Sequence, residues 1–340
     1  MKKFLYLALA ALPLWLASCV NEWPHPEDLP YDVTLTVHCD TEWLPDFTVD
    51  YTGDNTRAEN LELIYKFQIF EGGQTTSPVK EFSIFSHDFS RADFDIDLVL
   101  MPGKYDVYVW SDYYNPATGK SVYYDISNFA ALTFQTPYEA NSNEKDAFRG
   151  KLSFEIKESM YLHPAANETI VLSRPLARYI FIATDLQEFI DSEISRGHMS
   201  GISSRDYASL STRELEEALE GYSIKVVYPL FLPWVFNVYG DEPYDSMTGI
   251  SYEGSIEPLS QTQASLGLDY IMVKNDLSSF QVALEIYNAE GVKIGGTSVL
   301  NIPVERNHTT LIYGRFLTSQ EDAGVSINPD FEGQFNIEYH

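Results

Sequence analysis

Cysteine is scarce: the 340 residues hold two, Cys19 and Cys39, so a disulfide framework is excluded and one bridge is the most the chain could form. Positive charge is scarce too. Lys and Arg number 22 against 50 Asp and Glu, for a formal net charge of −28. Such a surface repels phosphate backbones and anionic headgroups, which disfavours nucleic-acid binding and polybasic membrane contact. Seven histidines are scattered rather than clustered. There is no Gly-x-Ser-x-Gly elbow, no glycine-rich phosphate loop and no His-Glu-x-x-His helix, so no enzyme class, cofactor or metal centre is expected. Long apolar runs are also missing. Phe4 to Leu16 is too short to span a bilayer, and Tyr228 to Phe236 is short and broken by Pro229 and Pro233.

The apolar run near the start has another use. Lys2 and Lys3 precede it and small residues follow it, the layout of a secretory signal over residues 1–18. Leu16-Ala17-Ser18-Cys19 resembles the lipobox of bacterial lipoproteins, which makes Cys19 the first mature residue and the site of lipidation. More than one acyl chain, at about 0.8 kcal/mol per buried methylene, holds a protein on a membrane far more firmly than a single myristoyl group. Without residues 1–18 the chain loses Lys2 and Lys3, and its formal charge passes from −28 to −30. Residues 19–30 carry Pro24, Pro26 and Pro30 without apolar period and read as a stiff, extended tether. Val20 in place of an inner-membrane retention aspartate points to the outer membrane. Cys39, left without a partner, reads as a buried strand residue.

With 44% apolar and 14% aromatic residues, the chain has ample core, and its length suggests two domains. Val33, Leu35 and Val37 alternate with polar residues, as do Leu63-Tyr65-Phe67-Ile69, Phe94-Ile96-Leu98 and Tyr105-Val107-Val109. Turn clusters lie between them, at 52–55, 71–73, 101–103 and 115–119. Short strands with frequent turns predict a mainly β fold of antiparallel sandwiches. Phe129 to Phe134 and Leu152 to Ile156 are expected to complete the first. The division is placed at 163/164, giving sandwiches over 31–163 and 164–340, because His163-Pro164 interrupts the pattern. The second domain carries the few short helices. Asp185 and Glu188 are expected to cap one with Leu186, Phe189, Ile190 and Ile194 on its inner face, and Ser211 and Glu214 to cap another.

Few residues suggest chemistry. Asp93, Asp95 and Asp97 could hint at calcium, but Leu98 and Lys104 stand where an EF-hand needs glycine and glutamate. Their alternation with Phe94, Ile96 and Leu98 puts the carboxylates on the wet face of a strand. Tyr228 to Phe236 reads as a core strand and loop, or as an apolar edge awaiting another subunit. Tyr113-Tyr114 and Tyr123-Tyr124 could stack on sugar rings, although cross-strand packing is the plainer reading. Asp245-Ser246-Met247 resembles the short O-glycosylation motif of exported Bacteroidetes proteins, making Ser246 a candidate site.

The stretch Ile302-Pro303-Val304-Glu305-Arg306-Asn307-His308-Thr309-Thr310-Leu311-Ile312-Tyr313-Gly314-Arg315-Phe316-Leu317, with Asn328-Pro329-Asp330-Phe331 after it, resembles the closing strands of Bacteroidetes fimbrillin-related proteins. It is most similar to the FimB/Mfa2 family of minor fimbrial and anchor lipoproteins. Asp146-Ala147-Phe148-Arg149-Gly150 and Arg174-Pro175-Leu176-Ala177-Arg178 add to the likeness. The resemblance implies two tandem transthyretin-like β-sandwiches. It also implies a non-enzymatic, lipid-anchored pilus subunit at the cell surface, partnered with other fimbrial subunits by β-strand addition. In stalk subunits of this kind an arginine-directed cut removes the first strand. Arg57 is the possible protease site here, against the plainer reading of a loop arginine, since a cut there would also free the protein from Cys19. Arg306 and Asn307 are expected to pair with carboxylates and to shape a turn. The alternative from another class is a surface glycan-binding lipoprotein of a nutrient uptake system.

Overall fold

A computed structural model describes residues 29–42, 60–157, 166–199, 210–274, 278–319 and 336–339. The first strands in chain order are β1 (Tyr31–Cys39), β2 (Glu62–Glu71), β3 (Lys80–Ser86), β4 (Phe94–Leu100), β5 (Gly103–Asn115), β6 (Lys120–Ser121), β7 (Tyr124–Asp125) and β8 (Leu132–Phe134). A 3-10 turn, Asn143–Lys145, precedes β9 (Phe148–Ile156), β10 (Ala166–Ser173) and β11 (Leu176–Ala183). Helices α1 (Leu186–Ser195) and α2 (Thr212–Ala218) lead to β12 (Ser223–Tyr228), β13 (Leu232–Asn237), β14 (Glu242–Met247), β15 (Ile250–Gly254), β16 (Glu257–Pro258) and β17 (Ala264–Met272). The chain closes with β18 (Ser278–Tyr287), β19 (Lys293–Gly296), β20 (Leu300–Val304), β21 (Thr309–Gly314) and β22 (Asn336–Tyr339).

The first sheet runs β3-β2-β5-β9-β10-β1-β4, with β6 paired to the end of β5. It folds over on itself, so that Tyr65 of β2 meets Phe94 of β4 edge to face at 4.9 Å. The enclosed core takes alternate residues from each strand: Val33, Leu35 and Val37; Leu63, Tyr65, Phe67 and Ile69; Val107 and Val109; Ile170 and Leu172. Those of β1, β2 and β5 are the alternations visible in the sequence, and Cys39 lies buried among them. The corner of the fold is the short junction of β9 and β10, which pair only at Gly150 with Leu172 and Arg149 with Ser173.

The β10 strand belongs to this first sheet, parallel to β1 along Val33–Cys39. A division at 163/164 therefore runs between two strands of one sheet, and the chain changes sheet at Arg174-Pro175. Composition could not reveal this, because pairing across more than a hundred residues leaves no local mark. Phe129 to Phe134 also departs from expectation: only β8 forms, and it joins a small sheet of order β14-β13-β8-β7.

A second sandwich packs the sheet β16-β17-β11-β21-β22 against β15-β12-β18-β19, where β20 also pairs with β18. Its core gathers Tyr179, Phe181, Ile224, Val226, Val282, Leu284 and Ile302 together with Phe189 and Ile190 of α1. The opposite face of β11, with Leu176, Ile180 and Ile182, packs on an aromatic layer that also holds Tyr108 and Trp110 of β5, Phe134 and Phe236. The two sandwiches thus share a middle layer, and β11 is buried on both sides. The sheets are mainly antiparallel. Parallel pairings occur between β1 and β10, β11 and β21, and β21 and β22.

Ser211 caps α2 with a full capping box closed by Glu214. Asp185 does not cap α1 with its side chain. Its carboxylate instead accepts from the Leu317 and Thr318 amides and the Thr318 hydroxyl at 2.7–3.3 Å. A tertiary partner has taken the group that the local pattern assigned to the helix. Glu193, on the inner face of α1, is fully buried and accepts from Arg196, His198 and Tyr222.

Candidate functional site

The seat of β1 is the first feature that bears on function. Its inward residues Val33, Leu35 and Val37 are at most 1% exposed, so the strand is fixed in register by its side chains as well as its backbone. On the outer face, β4 stands directly opposite: Thr34 pairs with Asp97 and Thr36 with Asp95. The threonine hydroxyls donate to those carboxylates at 3.1 and 2.7 Å, and the His38 ring meets Asp93 at 2.8 Å. The three aspartates therefore form a solvent-facing ladder of cross-strand pairs, as their alternation suggested. Burial raises the pKa of the Cys39 thiol, which keeps it protonated and unreactive.

The end of β1 is gripped by the junction between the two sandwiches. The Glu42 carbonyl accepts from Arg174 Nη1 at 3.0 Å and from Asn307 Nδ2 at 3.1 Å. Arg174 also makes a charge-assisted pair with Asp146, and its own carbonyl accepts from Arg306 Nε. Arg306 and Arg149 share Asp241, at 2.6 and 3.2 Å. Asn307 adopts a left-handed φ of 57° and its amide donates to the Leu176 carbonyl. Arg306 thus pairs with a carboxylate and Asn307 shapes a turn, as their loop position implied.

Exposed apolar groups collect on the hairpin of β13 and β14. The β13 strand buries Leu232, Trp234 and Phe236, but the turn before it leaves Leu230 49% and Phe231 69% exposed. On β14, the edge strand of its sheet, Tyr244 and Met247 are exposed as well. A groove of about 380 Å³ runs beside them, lined by Pro233, Pro243, Tyr244, Ser246, Phe280 and Val304. Among the described residues no strand pairs with the outer side of β14, and an edge strand beside exposed apolar side chains is a ready template for another strand. Ser246 lies on this edge, exposed, with its amide donating to Asp245 at 2.8 Å.

A second concavity, of about 500 Å³, opens between β2, β3 and the β6–β7 connection. Phe85 and Tyr114 form one wall, rings 4.7 Å apart and tilted, and Lys66, Glu81, Asp125 and Gln135 supply polar groups. Tyr124 is fully buried and Tyr123 half-buried, so these two belong mainly to packing. Cys19 and Arg57 lie outside the described residues.

Two polar sites escaped sequence reading. Asp112, fully buried on β5, accepts from Trp110 Nε1 at 3.1 Å and Ser121 Oγ at 2.8 Å. Burial pushes its pKa up to about 7, against the pull of those two hydrogen bonds and of Arg91. Lys145 and Asp269, also fully buried, lie 2.6 Å apart in the shared aromatic layer. The sequence around Lys145 is so polar that it reads as a boundary loop; the surrounding Phe134, Tyr138 and Tyr124 were the available signal.

A family model matches residues 27–339. The chain belongs to DUF6562, a family of unknown function. No curated protein sequence matches this DUF6562 chain. Among solved structures it is similar to the fimbrial anchor protein Mfa2 from Porphyromonas gingivalis, at 10% identity and a TM-score of 0.40, covering 78% of this chain and 81% of that one. It is similar to the tip fimbrial protein Mfa3 of the same organism, at 10% identity, a TM-score of 0.37 and 81% coverage of each chain. It is also similar to a fimbrial assembly protein from Parabacteroides distasonis, at 14% identity and a TM-score of 0.37, covering 84% of this chain and 91% of that one.

Proposed function

We propose that this DUF6562 protein is a lipid-anchored subunit of a surface filament, an anchor or minor component that joins its neighbours by β-strand addition. The observation that carries the reading is the seat of β1. The first strand after the tether lies between β10 and β4, neither of them its sequence neighbour, and is held by backbone pairing and buried alternate side chains. A strand held in that way is chemically equivalent to one supplied by another subunit, since main-chain hydrogen bonds give affinity and alternate pockets give register. The exposed edge of β14 with Leu230 and Phe231 is a second surface suited to such pairing. Cys19 supplies the lipid, residues 19–30 the spacer and the outer membrane the support. Arg57, in the sequence after β1, is the candidate maturation site. Deleting the gene tests the reading: surface filaments should be lost, shed or altered in length, and filaments unchanged in number, length and attachment would end it.

A second reading, a glycan-binding surface lipoprotein, is favoured by the cleft walled by Phe85 and Tyr114, where apolar ring faces meet donors and acceptors. Polysaccharide pull-down with residues 20–340 separates the two: retention by a defined glycan favours the second reading, and none leaves the first.

A further inference from the structure

The least expected site in the molecule is the buried cluster around Lys145 and Asp269, whose side chains are 1% and 0% exposed. Lys145 Nζ donates to Asp269 Oδ1 at 2.6 Å and to the Tyr138 hydroxyl at 2.7 Å. The Phe134 and Tyr138 rings cover it at 4.4 and 3.9 Å. Asp269 Oδ1 accepts a second hydrogen bond, from the Tyr270 amide at 2.7 Å. Oδ2 accepts from the Tyr138 and Tyr228 hydroxyls, each at 2.5 Å. Behind Tyr228 stand Tyr179, at 2.5 Å, and then Tyr252.

We propose that Lys145 and Asp269 condense into an intramolecular amide, joining Nζ to Cγ with loss of one water. Both partners are held in place by their elements. The Lys145 carbonyl accepts from the buried Tyr124 hydroxyl, and Asp269 sits in mid-β17 opposite Tyr179 of β11. Two reacting groups held at contact distance gain the advantage of an intramolecular reaction, which reaches effective molarities of about 10⁵–10⁸ M. Burial, the largest influence, lowers the pKa of Lys145, although Asp269 opposes it. Passing one proton from the ammonium to the carboxylate leaves a neutral amine and a carboxylic acid, which are the reactants.

The step balances without any co-reactant. The Nζ lone pair attacks Cγ, and the charge that develops on Oδ1 is held by the Tyr270 amide, a backbone donor of the oxyanion-hole kind. Tyr138 touches both ends, so its hydroxyl accepts a proton from Nζ while giving its own to Oδ2. The Cγ–Oδ2 bond then breaks, Oδ2 leaves as water, and Oδ1 remains as the amide carbonyl. Two buried charges are replaced by a neutral group. The link would run from the turn before β9, in the first sheet, to β17 in the second, so that pulling on the chain could not part the two sandwiches at this point.

Peptide mapping of the full-length protein tests the proposal. After denaturation and digestion with trypsin, the expected result is no cleavage after Lys145. Tandem mass spectrometry should find a branched species whose mass is that of the Lys145 and Asp269 peptides less one water. Separate, unmodified peptides with cleavage after Lys145 would overturn it and leave an ordinary buried ion pair. Lys145→Met should abolish the branched species; its persistence would overturn the assignment. Tyr138→Phe keeps the ring and removes the hydroxyl, and should raise the unlinked fraction severalfold. An unchanged linked fraction would overturn the role of Tyr138.

Discussion

Gly150 and Leu172 approach so closely that a Cβ on Gly150 would stand 2.2 Å from Leu172 Cδ2 and 3.0 Å from the Val171 carbonyl. This contact is the corner at which the first sheet turns from β9 to β10. Gly150→Ala should therefore destabilise the protein by about 1–3 kcal/mol, the cost of overpacking, read as a lower urea midpoint. Adding Leu172→Ala should remove part of the clash, so that the double variant falls less than the two single losses combined. Strict additivity would show that the corner does not depend on this approach.

Asp112 gives the protein a calculable pH response. Its folded pKa of about 7 lies above the usual 3.8 because of burial. Below pH 4 the folded and unfolded chains both hold the proton. Between about 4 and 7 the unfolded chain releases it while the folded chain keeps it, so stability falls as pH rises through that window and levels off above it. Asp112→Asn, which cannot ionise, should unfold at a higher temperature than wild type at pH 8, by roughly 2–4 kcal/mol of stability. The gap should close towards pH 4. A gap independent of pH would mean that Asp112 is not the titrating group.

Phe231 is 69% exposed at the tip of the β12–β13 turn. Phe231→Ser should change monomer stability by no more than about 0.5 kcal/mol. Incorporation into filaments should nevertheless fall, as measured by the ratio of filament-bound to free protein on immunoblots. Normal incorporation would remove this turn from the proposed docking surface.

Ser246 is exposed on the edge strand β14. If the motif is used, intact mass of the native protein should fall by more than one hydroxyl oxygen in Ser246→Ala, because a glycan leaves with the side chain. Identical sugar content in the variant and wild type would end the idea.

Legibility in the sequence followed burial geometry. Strands with one wetter face, such as β1 with Val33, Leu35 and Val37 inward, declare themselves by alternation, and Ser211 with Glu214 declared α2. The β17 strand is buried along its whole length although it includes Ser265, Gly267 and Asp269, so it has no period to read. Glu242–Met247, β14, has Pro243 and two acids and resembles a turn. Lys145 looked like solvent-facing polarity because charged residues are rarely buried unless paired, and its partner lies 124 residues away. The β1 surface was legible from Val33, Leu35 and Val37, but its neighbours β10 and β4 were not, since only the folded chain brings them together.

The central claim is that a lipid on Cys19 roots a filament subunit in the outer membrane. Immunogold electron microscopy of cells in which the gene is replaced by Cys19→Ala, with the culture medium probed in parallel, tests it most directly. The account predicts that the protein and the filaments it joins appear in the medium and are depleted from the cell surface. Filaments and label retained on the cells at wild-type number and length would contradict it.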